Sequence, residues 1–64
     1  MKYKLFTLQY GEFADVYEHK GLDALLHDLA NISLMSTIEV IDIHENGKSL
    51  SRTRIKVLRS LAAE

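Results

Sequence analysis

Over residues 2–10, apolar side chains fall on both sides of an extended segment. Tyr3 and Leu5 share one side, and Phe6, Leu8 and Tyr10 share the other. Tyr, Phe and Thr favour strands, and no breaker interrupts the run, so a strand is predicted. Gly11 punctuates it. Residues 12–19 then alternate again, with Phe13, Asp15, Tyr17 and His19 on one side and Ala14, Val16 and Glu18 on the other. Tyr10-Gly11-Glu12 reads as a tight turn, which makes the two strands a hairpin.

The period changes after Gly21. Leu22, Leu25, Leu26 and Leu29 stand at i, i+3, i+4 and i+7, one face of a helix over residues 22–31. Asp23 suits the positive end of the helix dipole, and Asn31 is a good stop residue. Ile32 to Ser36 reads as a short connector with two apolar plugs, Ile32 and Leu34.

Residues 37–45 are the best strand in the chain. Strict alternation places Ile38, Val40, Asp42 and His44 on one face and Glu39, Ile41 and Ile43 on the other. The apolar phase therefore slips between Val40 and Ile41. Either a bulge absorbs the slip, or both faces are partly covered. Asn46-Gly47 is the strongest short-range hairpin signal. A two-residue turn there pairs Glu45 with Lys48 and Ile43 with Leu50, an opposite-charge pair and an apolar one. Residues 52–57 alternate like a strand, but the apolar spacing Ile55, Leu58, Leu61 and Ala62 outlasts that alternation. A C-terminal amphipathic helix over 52–63, capped by Ser51, is the better reading.

The order ββαβ(β)α predicts a single α+β domain over residues 1–64. A small antiparallel sheet of three to four strands carries one central helix on a face. One helix cannot cover both faces of a sheet. Either the C-terminal helix or a second copy of the chain is expected to cover the other.

Composition sharpens that expectation. The chain has 64 residues, 47% of them hydrophobic and 27% charged, with no cysteine and no proline. A domain of this size buries only about 60% of its unfolded surface. Small scaffolds usually add disulfides, a metal or self-association, and disulfides are impossible here. A homodimer is therefore predicted, with Ile41 and Ile43, or Tyr3 and Leu5, as candidate contact residues on an uncovered face. No signal peptide is readable, because the opening apolar run breaks at Thr7 and Gln9, and no membrane-length run exists. A cytoplasmic protein without membrane contact is expected.

The net charge of −1 conceals a division. Residues 1–47 hold three lysines against eight carboxylates, a net of −5; residues 48–64 hold five basic groups against Glu64, a net of +4. Oppositely charged halves attract, so the tail is expected to fold over its own acidic sheet or over a partner's. Two binding surfaces are candidates. Asp15, Glu18, Asp42 and Glu45 offer acidic groups to a basic protein partner. Arg52, Lys56 and Arg59 share one side of the C-terminal helix and suit phosphates or an acidic partner. The acidic overall balance makes nucleic acid the second choice.

Catalytic patterns are missing. There is no cysteine nucleophile, glycine-rich phosphate loop, G-x-S-x-G elbow or H-E-x-x-H pair. His19, His44 and Asp42 are the nearest approach to a metal-binding set, but no local ligand spacing supports them. No cofactor, metal or enzymatic activity is predicted. The junction Tyr17-Glu18-His19-Lys20-Gly21-Leu22 resembles the strand-to-helix junction of the small viral inhibitors of uracil-DNA glycosylase. The chain lacks that family's acidic run before the strand, and no site residue is carried over. The expected function is a non-enzymatic, self-associating protein-binding module. A small phage or mobile-element inhibitor of a larger host protein is one form of it. The alternative is a small nucleic-acid-binding regulator.

Overall fold

The computed structural model describes residues 2–35 and 37–64, with the backbone but not the side chain of Phe13. The elements are β1 (Tyr3–Gln9), β2 (Phe13–His19), α1 (Leu22–Ser33), β3 (Ile38–Glu45), β4 (Lys48–Ser49) and α2 (Arg52–Ala62). They form a four-stranded antiparallel sheet, within the three to four strands the hydrophobic pattern predicts, and its strand order is β2-β1-β3-β4. β2 and β3 run parallel on either side of β1. Parallel strands need a crossover, and α1 supplies it.

Two tight turns set the hairpins. Tyr10 and Gly11 have φ of 55° and 73°, and Asn46 and Gly47 have 51° and 84°. Two successive left-handed residues are the signature of a type I′ turn, whose twist matches that of the strands. Asn and Gly adopt this region readily; Tyr10 does so at a cost. The second turn gives the predicted register, with Glu45 opposite Lys48 and the Leu50 N–H donating to the Ile43 carbonyl at 2.9 Å. Asn46 also ties down the chain start. Its N–H donates to the Lys2 carbonyl (2.8 Å), and its Oδ1 accepts the Lys2 N–H (3.0 Å).

The phase slip in β3 is a bulge. Phe6 faces Asp42 while Thr7 faces Val40, so Ile41 is an extra residue. The bulge returns Ile43 to the face of Ile38 and Val40 and turns Asp42 and His44 to the face of Glu39 and Ile41. One face of the sheet thus gathers Tyr3, Leu5, Thr7, Val40 and Ile43, all buried.

Both helices pack on that face. Leu25, Leu29 and Ile32 of α1 and Leu58 of α2 complete one core cluster. α1 runs past the expected stop at Asn31 because Ile32 stands seven residues after Leu25 and continues the buried stripe. Ile32 is therefore a core residue of the helix rather than a plug in a connector. Leu34 plugs nothing and is 85% exposed. The expected connector ends at Ser36, which lies outside the described residues. α2 forms where expected, and the Ser51 hydroxyl accepts the Arg54 N–H at 3.2 Å. Leu58 is its one buried residue, and Leu61, expected on the apolar side, is 43% exposed. α2 lies beside α1 and not across the sheet. The expectation that it covers the second face is overturned. No described helix is long and apolar enough to cross a membrane.

Candidate functional site

Alternation turns the remaining strand side chains away from both helices. This open face carries Lys4, Phe6 and Leu8 from β1, Ala14, Val16 and Glu18 from β2, and Glu39, Ile41, Asp42 and His44 from β3. Its middle is apolar. Phe6 lies directly opposite Val16 and beside the bulge that holds Ile41. Val16 is 49% exposed and Ile41 38%, while Phe6 and Leu8 are half-buried. Apolar groups so gathered on a solvent face mark a contact surface more often than scattered ones do.

A polar cluster borders this patch. Asp42 Oδ1 accepts the Ser49 hydroxyl (2.8 Å) and the Ile43 N–H (2.9 Å), and Oδ2 meets His44 Nε2 at 3.0 Å. The His44 ring leans on Phe6 with centroids 4.6 Å apart. Burial alone raises the Asp42 pKa, but the hydrogen bonds from Ser49, His44 and Ile43 outweigh it and hold the carboxyl below its ordinary 3.8. Serine, histidine and aspartate here do not form a nucleophilic triad. Such a triad places the imidazole between hydroxyl and carboxylate. Here Asp42 stands between the other two, and the Ser49 proton points at the carboxylate. The cluster fixes side chains at the β3–β4 edge.

The predicted acidic surface is divided. Glu18 and Asp42 lie on the open face, but Asp15 pairs with Thr7 and Glu45 with Tyr3 on the helix side. Glu45 Oε2 accepts the Tyr3 hydroxyl at 2.8 Å. That bond, with burial and the Glu45 charge, raises the phenol's pKa above its ordinary 10.0. The charge of Asp15, and then burial and the hydrogen bond to it, do the same for Tyr17. Glu18 reaches Lys4 at 3.8 Å on the open face, an exposed pair worth little.

Of the predicted self-association residues, only Ile41 is on the open face. Tyr3, Leu5 and Ile43 are 2%, 0% and 0% exposed and cannot meet a partner. The bulge is the reason, since it gives Ile43 and Val40 the same inward direction as Tyr3 and Leu5. The histidine–aspartate set is also separated. His19 lies on the helix side, where Nε2 meets Asp28 Oδ2 at 3.1 Å, and His44 lies on the other face. An open depression of about 460 Å³ at the end of the sheet, lined by Lys2, Tyr3, Lys4, Glu18, His19 and Lys20, is a solvated rim of lysines. Arg52, Lys56 and Arg59 are exposed along α2, which rests on α1 and not on the acidic groups of the open face. The basic tail does fold over its own sheet, on the helix side, where Leu58 enters the core and the Arg54 charge reaches Tyr3, but Arg52, Lys56 and Arg59 themselves stay exposed.

Sequence reasoning did not single out Phe6, Leu8, Val16 or Ser49 as surface groups. Their faces were legible from alternation, but which face the helices leave bare was not. No protein-family model, curated protein or solved structure matches this chain.

Proposed function

We propose that this protein is a non-enzymatic, self-associating binding module that docks on a larger protein through the open face of its sheet. The carrying observation is that both helices occupy one side, leaving Phe6, Leu8, Val16 and Ile41 outside the core. Glu18, Glu39 and Asp42 stand around these groups. Apolar centre and acidic rim suit a partner with an apolar floor and basic walls, such as the nucleic-acid cleft of an enzyme. An inhibitor from a phage or mobile element would work this way.

The test uses tagged wild-type protein and Ile41→Lys, captured from the cells that encode it. Any captured protein is then purified and remixed with both forms. A partner that rebinds wild type and loses at least tenfold in affinity for Ile41→Lys is expected. A partner that rebinds both equally removes the open face from the reading.

The exposed stripe Arg52, Lys56 and Arg59 favours a second reading, contact with nucleic-acid phosphates through α2. It uses the opposite side of the molecule. Binding to DNA or RNA across a salt series separates it from the first.

A further inference from the structure

We propose that the protein dimerises by antiparallel pairing of β2 with β2 of a second copy, with Val16 facing Val16 across the two-fold axis. The proposal rests on the self-associating reading above and specifies the surface that does it.

The two edges of the sheet differ. β4 is two residues long, a common way to blunt an edge. β2 runs for seven residues without proline, lysine or bulge. Its outward backbone groups can be identified. The Tyr10 N–H donates to Thr37 on the β3 side, so even-numbered residues of β1 bond toward β3 and odd-numbered ones toward β2. In β2 the odd-numbered residues therefore bond β1, and Ala14, Val16 and Glu18 direct N–H and C=O groups away from the sheet. Asp15 Oδ1 accepts the Val16 N–H at 3.1 Å, a side-chain substitute for a missing strand.

Self-pairing has few possible registers. A two-fold axis normal to the sheet keeps both helix layers on one side, so facing residues must share a face. Among registers that pair most of the seven-residue strand, the axis passes through Asp15, Val16 or Tyr17. Asp15 at the axis sets two carboxylates against each other. Tyr17 at the axis places Val16 against Glu18 and leaves Ala14 to pair beyond the strand end. Val16 at the axis uses the whole strand and forms about six backbone hydrogen bonds. It also sets Asp15 against Tyr17 of the second copy. These two side chains already bond within one chain, hydroxyl to carboxylate at 3.3 Å.

The surface area agrees with such a need. The chain exposes 4637 Å², against about 4,200 Å² for a typical monomer of its mass. An edge dimer also leaves the open face free and joins two copies of it side by side, Phe6 and Val16 continuing into the Val16 and Phe6 of the second copy. Self-association and docking on a larger protein then use different surfaces.

The chain contains no cysteine, so a single introduced thiol reports one contact. In a hydrogen-bonded antiparallel pair the Cα atoms are about 5.5 Å apart, within disulfide range. Val16→Cys is expected to convert to a linked dimer under mild oxidation, at least tenfold faster than Ala14→Cys, which faces Glu18, or Ile41→Cys, which reports face-to-face contact. A chain synthesised with N-methyl valine at position 16 loses the outward N–H and keeps the β1 ladder. Its mass by light scattering is expected to be 7.3 kDa, against about twice that for the unmodified chain. A dimer that links through Ile41→Cys instead, or that survives N-methylation, overturns the edge pairing while self-association stands. A mass of 7.3 kDa for the unmodified chain at the highest concentration reached overturns both.

Discussion

Deleting Ile41 is expected to leave the fold intact. In the β1–β3 ladder it is the surplus residue, since Thr7 faces Val40 and Phe6 faces Asp42. Without it, Val40 and Asp42 become neighbours, and Ile38, Val40 and Ile43 keep their inward direction. The loss is the packing of one side chain. Ile41 is 38% exposed, so about three-fifths of it is out of water. Complete burial of such a side chain is worth roughly 1.5–3 kcal/mol, so about 1–2 kcal/mol is lost. A regular ladder returns about 1 kcal/mol through one net hydrogen bond. The net cost is about 0–1 kcal/mol, small beside the roughly 3–10 kcal/mol expected for a domain of this length. Deleting His44 is the control. It turns Glu45 to the open face, breaks its bond to Tyr3, and carries Asn46 away from both of its bonds to Lys2. With the bond between His44 and Asp42, four lost hydrogen bonds amount to about 4 kcal/mol. Urea unfolding followed by circular dichroism measures both variants, and amide exchange at Leu5 and Ile43 reports the core. If the Ile41 deletion is unfolded, or loses as much as the His44 deletion, Ile41 is not a surplus residue of the ladder.

Other expectations concern single side chains. Leu58→Ala removes the one buried residue of α2 and should lose about 2–5 kcal/mol, read by denaturation, with α2 amides exchanging before those of the sheet. Tyr10→Asn should stabilise by about 0.5–1 kcal/mol, because Tyr10 holds φ of 55° while 73% exposed; an unchanged melting temperature would count against the turn assignment. Tyr3 favours its neutral form when folded, so its contribution is complete below pH 10.0 and fades as pH rises above it; Tyr3→Phe should flatten the alkaline limb of a stability profile. Asp42 favours its charged form, so its contribution is complete above pH 3.8 and is lost as pH falls through its lowered value; Asp42→Asn should flatten the acid limb. Reversing Arg52, Lys56 and Arg59 to glutamate should leave the unfolding midpoint within experimental error, since all three are exposed, and should abolish any salt-dependent affinity for nucleic acid.

Local signals in the sequence were strong where backbone chemistry dictates structure. Asn46-Gly47 fixed the second hairpin to the residue, and Ser51 marked the start of α2. The leucine stripe placed α1 and failed only at its end, because a stop residue such as Asn31 yields when Ile32 still has a core to enter. The choice between sheet faces was a different kind of question. Each face of β1 carries large apolar groups, Tyr3 and Leu5 on one and Phe6 and Leu8 on the other, so alternation alone assigns neither to the interior. The bulge decides it. With Ile41 as the extra residue, Val40 and Ile43 point the same way, so the face of Tyr3, Leu5 and Thr7 finds both of them in β3 while the other face keeps Ile41 alone. Both helices follow, since each has a single buried stripe and both stripes are served by one core. The consequence for function comes from the same step. With two helices committed to one side, Phe6, Leu8, Val16 and Ile41 are left together on the opposite face, while Tyr10, Leu34, Met35, Val57 and Leu61 are exposed elsewhere on the molecule. Charged neighbours such as Lys4, Glu18 and Glu39 can keep that face wet, and the docking proposed above would remove Phe6, Val16 and Ile41 together from water.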